Sequence, residues 1–112
     1  MTPERASKAV QYLIDSAAEY GAARADAMRA DDMLRVIKSL MMAQSNEKSA
    51  AAQEREAYAS QRYRDAIDTK FEAVKTSETL RARREAAIQT IEAWRSMNAN
   101  QRSAERGYGS TR

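Results

Sequence analysis

Apolar side chains recur along this chain at steps of three and four, in two long runs separated by a polar break. The first run passes through Ala6, Val10, Leu13, Ala17, Tyr20, Ala23, Ala27, Ala30, Leu34, Ile37 and Met41. Its mean step is 3.5 residues, the period of a coiled-coil seam rather than of a broad core face. The second run holds Ile67, Phe71, Val74, Leu80, Ala87, Ile91 and Trp94, with Ser77 and Arg84 completing the same face. Between Met42 and Ser49 the pattern lapses, and Ser45, Asn46 and Ser49 supply turn and capping chemistry. The pattern predicts an all-α fold, a long antiparallel helical hairpin of coiled-coil type that oligomerises. Its parts are an arm at 3–44, a turn at 45–49, a short helix at 50–59 and a second arm at 61–98.

Local signals agree with these bounds. Thr2 is a candidate N-cap and Pro3 suits the first helical position. Ser60 is placed to cap the second arm. Gly21 lies inside the first arm, where it marks a bend or a close crossing, and it costs roughly 1 kcal/mol against Ala. After Asn98 the periodicity ends, and 99–112 reads as a basic flexible tail closing on Gly107-Tyr108-Gly109-Ser110. Residues 1–98 thus form one helical domain.

Composition changes this picture in one respect. The middle of the first seam is mostly Ala, which lets a partner helix approach closely but buries little area per turn. Aromatic residues are 6% of the 112 positions and the mean hydropathy is −0.77, so few large side chains are available to a lone hairpin. Self-association is therefore expected, through Leu13, Tyr20, Leu34, Ile37, Met41, Phe71, Ile91 and Trp94. Phe71 and Trp94, on the apolar face, are expected to be buried. Met28, Met33, Met41, Met42 and Met97 read as adaptable packing residues.

Catalytic chemistry is sparse. The chain has no Cys and no His, which removes thiolate chemistry, the usual acid–base group near neutral pH and the commonest metal ligand. Asp65, Asp68 and Glu72 share a face and Asp31-Asp32 are adjacent, but Arg and Lys are interleaved with them, as on a solvated helix surface. No phosphate-binding Gly-rich loop or nucleophile elbow is present. The expectation is a non-enzyme with no cofactor and no metal. No apolar run approaches the ~20 residues that span a bilayer, so no membrane partner and a cytoplasmic location are expected.

Charge is uneven. Residues 1–44 carry six basic and six acidic groups, whereas residues 61–112 carry eleven and seven. Lys75, Arg81, Arg83, Arg84, Arg95, Arg102 and Arg106 are the candidate nucleic-acid-binding residues, because guanidinium forks fit phosphate oxygens and neutralised phosphates release counterions. The same spacing also describes an ordinary solvated helix with paired charges. Tyr58, Tyr63 and Tyr108 are the aromatics freest to stack on bases, with Tyr108 the best placed by its basic, Gly-flanked setting.

The run Ile91-Glu92-Ala93-Trp94-Arg95-Ser96-Met97-Asn98-Ala99 resembles the end of the last long helix in UvsY-type recombination mediators of bacteriophages. Tyr58-Ala59-Ser60 with Tyr63 is similar to their central Tyr-containing break between two helical arms. The likeness spans roughly residues 30–100. Ala93 between Glu92 and Trp94 departs from the pattern, as does Asn100 where Gly is expected. Small phage proteins of unassigned function with the same Trp-Arg ending are similar too. The resemblance implies a small oligomeric helical protein that binds single-stranded DNA and helps load a recombinase in place of a single-strand-binding protein, with Trp94 and Arg95 in helix packing and oligomer formation. A non-enzymatic helical interaction protein is the alternative, such as a phage inhibitor of a host defence or replication enzyme or an assembly adaptor.

Overall fold

The computed structural model describes the backbone of residues 2–110 and the side chains of residues 2–107. Three helices account for nearly all of it: α1 (Pro3–Ala43), α2 (Ala50–Ala59) and α3 (Gln61–Ser110). The expected all-α fold holds, with no strand among the described residues. Among the described residues no helix is long and apolar enough to cross a membrane.

The helix ends are set by the expected caps. The Arg5 amide donates to Thr2 Oγ1 at 3.3 Å, which leaves Pro3 at the first position, where its missing N–H costs nothing. Ser49 accepts from the Ala52 amide at 3.1 Å and starts α2. Ser60 joins two helices: its hydroxyl donates to the Ala57 carbonyl at 2.7 Å and accepts from the Tyr63 amide at 3.2 Å. It thereby satisfies orphan groups at the end of α2 and the start of α3. The turn is knitted by Ser45, whose hydroxyl donates to Glu56 at 2.6 Å and accepts from the Glu47 amide.

At the other end the expectation fails. α3 does not stop at Asn98 but runs on through Ser110, so residues 99–110 are helical rather than an irregular tail. Asn98, Asn100 and Gln101 end the apolar periodicity, yet none of them breaks a helix already propagating from α3, where each further residue adds one backbone hydrogen bond. Thr111 and Arg112 of the expected tail lie outside the described residues. Gly21 makes no close crossing, since a Cβ added there meets nothing within 4 Å.

The chain divides into two compact units, a terminal one (Met1–Ala18 with Leu80–Arg112) and a central one (Glu19–Thr79). In each, α1 and α3 segments pair antiparallel. The terminal unit joins Leu13 and Ser16 to Arg84, and residues near the start of α1 face Ile91 and Trp94. The central unit joins Asp31 to Lys70 at 3.0 Å, and α2 is tied to α1 by Lys38 and Glu54 at 3.0 Å.

The expected seams hold at most positions and differ at Val10, Ala17 and Phe71. In the terminal unit the inward residues of α1 are Ala6, Ala9, Leu13 and Ser16, so Ala9 and Ser16 take the places assigned to Val10 and Ala17. Val10 is 44% exposed. On the central part of α3 the expected Ile67, Val74 and Ser77 face inward together with Tyr63, Ala66, Lys70 and Ala73, and Phe71 does not. Phe71 is 62% exposed, so it is not buried within the single chain. The physical reason is the same in both places. Successive helix positions point about 100° apart, so Ser16 meeting Arg84 and Lys70 meeting Asp31 turn the next positions, Ala17 and Phe71, outward. Lys70 is accommodated because its flexible stem lies along the interface while its ammonium reaches Asp31. With these shifts the α1 positions from Ala6 to Met41 step alternately by three and four, the spacing of a heptad seam.

Candidate nucleic-acid interface

Charge separates between the units. The terminal unit holds nine basic and five acidic residues, the central unit ten and eleven. The candidate cations therefore need to be followed on the terminal part of α3.

Arg81, Arg95 and Arg102 are spaced by fourteen and seven residues. At 3.5 residues per turn they fall on one line along α3, beside the seam. Ile88 fills the same line between Arg81 and Arg95 and is 40% exposed. Arg106 follows Arg102 by one turn, and the two border a shallow hollow with Glu105. Arg95 donates to Glu92 at 3.2 Å, with both side chains largely in solvent. Such a pair is worth little and is open to exchange for another anion. Arg83 lies on the opposite flank of the seam. Lys75 belongs to the central unit.

Arg84 is a correction. It occupies a seam position, and its Nη1 donates to the Leu13 carbonyl at 2.8 Å and to Ser16 Oγ at 2.6 Å. Ser16 is buried. A guanidinium between two helices has to satisfy its donors there, because unpaired burial of a charge is costly. Arg84 is thus a clasp inside the terminal unit rather than a surface contact. Sequence reading placed it on the apolar face by spacing, but its buried partner Ser16 stood outside the expected seam of α1.

Trp94 and Ile91 lie where the apolar pattern put them, half-buried against the start of α1. Together with Ala6 and Val10 they line a groove of about 360 Å³, with Ser7 and Arg95 at its edge. The groove puts the only Trp of the chain next to a cation of the α3 line. Sequence reading missed it, because it depends on which α1 residues come opposite Trp94.

The other expected interface residues have mixed places. Leu13, Tyr20, Leu34, Ile37 and Met41 are half-buried against helices of the same chain. Phe71 is exposed, and further exposed apolar side chains are found at Met33, Val36 and Leu40 on α1 of the central unit. Met33 borders a groove of about 290 Å³ floored by Ala30, Ile37 and Ala66. Among the expected stacking residues, Tyr58 and Tyr63 meet edge to face at 5.1 Å. Lys38 Nζ stands 4.9 Å from the Tyr58 ring. These two rings are therefore committed to one another and to holding α2. The side chain of Tyr108 lies outside the described residues.

Two carboxylates and one ammonium titrate away from their ordinary values, all in the central unit. Hydrogen bonding from Lys70, then the charge of Lys70, lowers Asp31. The same two effects from Lys38 lower Glu54. Lys38 is raised, by Tyr58 first and Glu54 second. Each reflects an ion pair that joins helices, and among the described residues no group of three or more acidic side chains is gathered for a metal ion.

Comparison of the chain with models of protein families, with curated proteins and with solved structures finds no match.

Proposed function

We propose that this protein is a non-enzymatic accessory factor of phage-type DNA recombination or replication, which binds single-stranded DNA and assists recombinase loading. The observation that carries the reading is the alignment of Arg81, Arg95 and Arg102 on one line of α3, in the unit that holds the net positive charge. Phosphates spaced along a flexible strand can be met by cations repeated along a helix, and single strands bind by such electrostatic tracks. Protein partners in this reading are further copies of the chain and a recombinase or single-strand-binding protein.

Fluorescence anisotropy of a labelled single-stranded oligonucleotide tests it. Binding is expected to weaken as salt rises, with a logarithmic slope of about −0.7 for each phosphate neutralised, so roughly −2 for three Arg contacts. Absence of binding by folded protein at about 50 mM salt, where such contacts are strong, overturns the proposal.

A second reading has its own observation. Met33, Val36 and Leu40 present an exposed apolar strip on α1 of the central unit, as a helical protein-interaction module does. If this strip carries the function, association measured by light scattering persists at about 1 M salt, where exposed charges are screened beyond ~3 Å, and is lost in a Val36→Glu variant.

A further inference from the structure

We infer that the groove between the start of α1 and Trp94 receives one unstacked nucleobase, with Arg95 holding the phosphate of the same nucleotide. The inference rests on the proposed binding of single-stranded DNA and names the subsite that makes it selective for single strands.

The groove's lining points to a largely apolar ligand with a polar edge. Its apolar lining is Pro3, the buried Ala6, Val10, Ile91 and Trp94. Its volume of about 360 Å³ is at the small end of the range of roughly 300–1,000 Å³ for sites that take small molecules. The polar groups border it: the Ser7 hydroxyl and the Arg95 guanidinium. A base has apolar faces and a polar edge, and it carries an anion on its sugar. That chemistry matches an apolar slot with a hydroxyl and a cation at the rim.

Charge complementarity decides between a base and another apolar occupant. Arg95 sits on the line with Arg81 and Arg102, so a strand lying along that line passes the mouth of the groove. The side chain of Arg95 is 69% exposed and bound only loosely to Glu92, and it can turn to a phosphate at small cost. An aromatic surface beside a cationic track is how proteins hold single strands, and stacking is open to any base because every base has a π-face. Paired bases in a duplex present no free face, so the same groove discriminates against double strands.

Trp94 is the only Trp in the chain, so its intrinsic fluorescence reports on the groove directly. The probe is an oligothymidylate, compared with a duplex of equal length and with heparin as a polyanion without bases. Anisotropy of labelled probes is followed in parallel. The expected result is quenching of Trp94 that saturates with oligothymidylate, little quenching by heparin or duplex at matched occupancy, and at least about a fivefold preference for single strand over duplex, as one stacked base provides. Val10→Glu places a carboxylate at an exposed position on the groove wall. It should retain helicity and lose both the quenching and that preference.

Oligothymidylate binding without quenching overturns the inference and leaves the proposed function standing. So does quenching of equal size by heparin. Emission that shifts with protein concentration alone and is insensitive to oligothymidylate shows the groove covered by a second copy, which also overturns it. Failure of every probe to bind overturns both readings.

Discussion

Single residues account for the inner order of the terminal unit. Arg84 contributes two hydrogen bonds across the helix pair, and a bond to a charged donor is worth about 1.5–3 kcal/mol. Arg84→Ala should destabilise the fold by about that amount in chemical denaturation. Arg84→Met restores the side-chain volume without the charge and should recover most of the loss, because apolar replacements of buried charges are often neutral or better. Neither change should weaken DNA binding in a folded variant, since the guanidinium points inward. Tyr12 supplies the opposite case. Its hydroxyl is buried and has no hydrogen-bond partner among the described residues, and an unsatisfied buried hydroxyl costs about 1–3 kcal/mol. Tyr12→Phe is therefore expected to raise stability by about 1 kcal/mol, measured by the same denaturation.

Among the elements, α1 carries its helix through Gly21 and α2 depends on a few polar ties. An added methyl at Gly21 meets open space, so Gly21→Ala should stabilise by about 1 kcal/mol through helix propensity and a less flexible unfolded chain. A rise in melting temperature checks this; a fall would mean that α1 bends or is approached there. The attachment of α2 has a pH signature. Glu54 is depressed below its ordinary 4.5, so its contribution is full above that value and is lost as pH falls through the lower folded value. Lys38 is raised above its ordinary 10.5, so its contribution is full below that value and is lost as pH rises through the higher folded value. Stability from this pair should be flat between the two ordinary values and decline outside them. In Lys38→Met the drop in melting temperature between about pH 7 and pH 3 should be smaller than in the parent chain, because a carboxylate without its partner has less to lose on protonation.

For the whole molecule, the useful quantity is where the charge lies rather than its sum. The net charge of +3 is too small to argue for polyanion binding. The excess of four positive charges in the terminal unit, partly offset in the central unit, locates the cationic surface. Arg102 and Arg106, beyond the last seam residue, are the most peripheral members of the α3 line. Arg102→Glu with Arg106→Glu should lower single-strand affinity by about tenfold or more at low salt and make the salt slope shallower by about one or two. Lys75→Glu, in the other unit, should change affinity much less. Equal losses from both variants in the anisotropy titration would assign the binding to general electrostatics rather than to the terminal line.

The helical period, the polar break and the caps at Thr2, Ser49 and Ser60 were legible in the chain itself, because each depends on neighbours within a turn or two. Composition likewise determined that the seam would be Ala-rich and poor in large side chains. Only tertiary structure decided which side of each helix turns inward. Contacts across the helix pair, Ser16 with Arg84 and Lys70 with Asp31, hold those positions inward and leave Ala17 and Phe71 outward, and Ala9 likewise lies inward beside an exposed Val10. The same choice turned Arg84 from a surface cation into a clasp and opened a groove between Trp94 and Val10. Those outcomes depend on pairs about seventy or eighty residues apart, and a one-dimensional pattern carries no term for the fit between them.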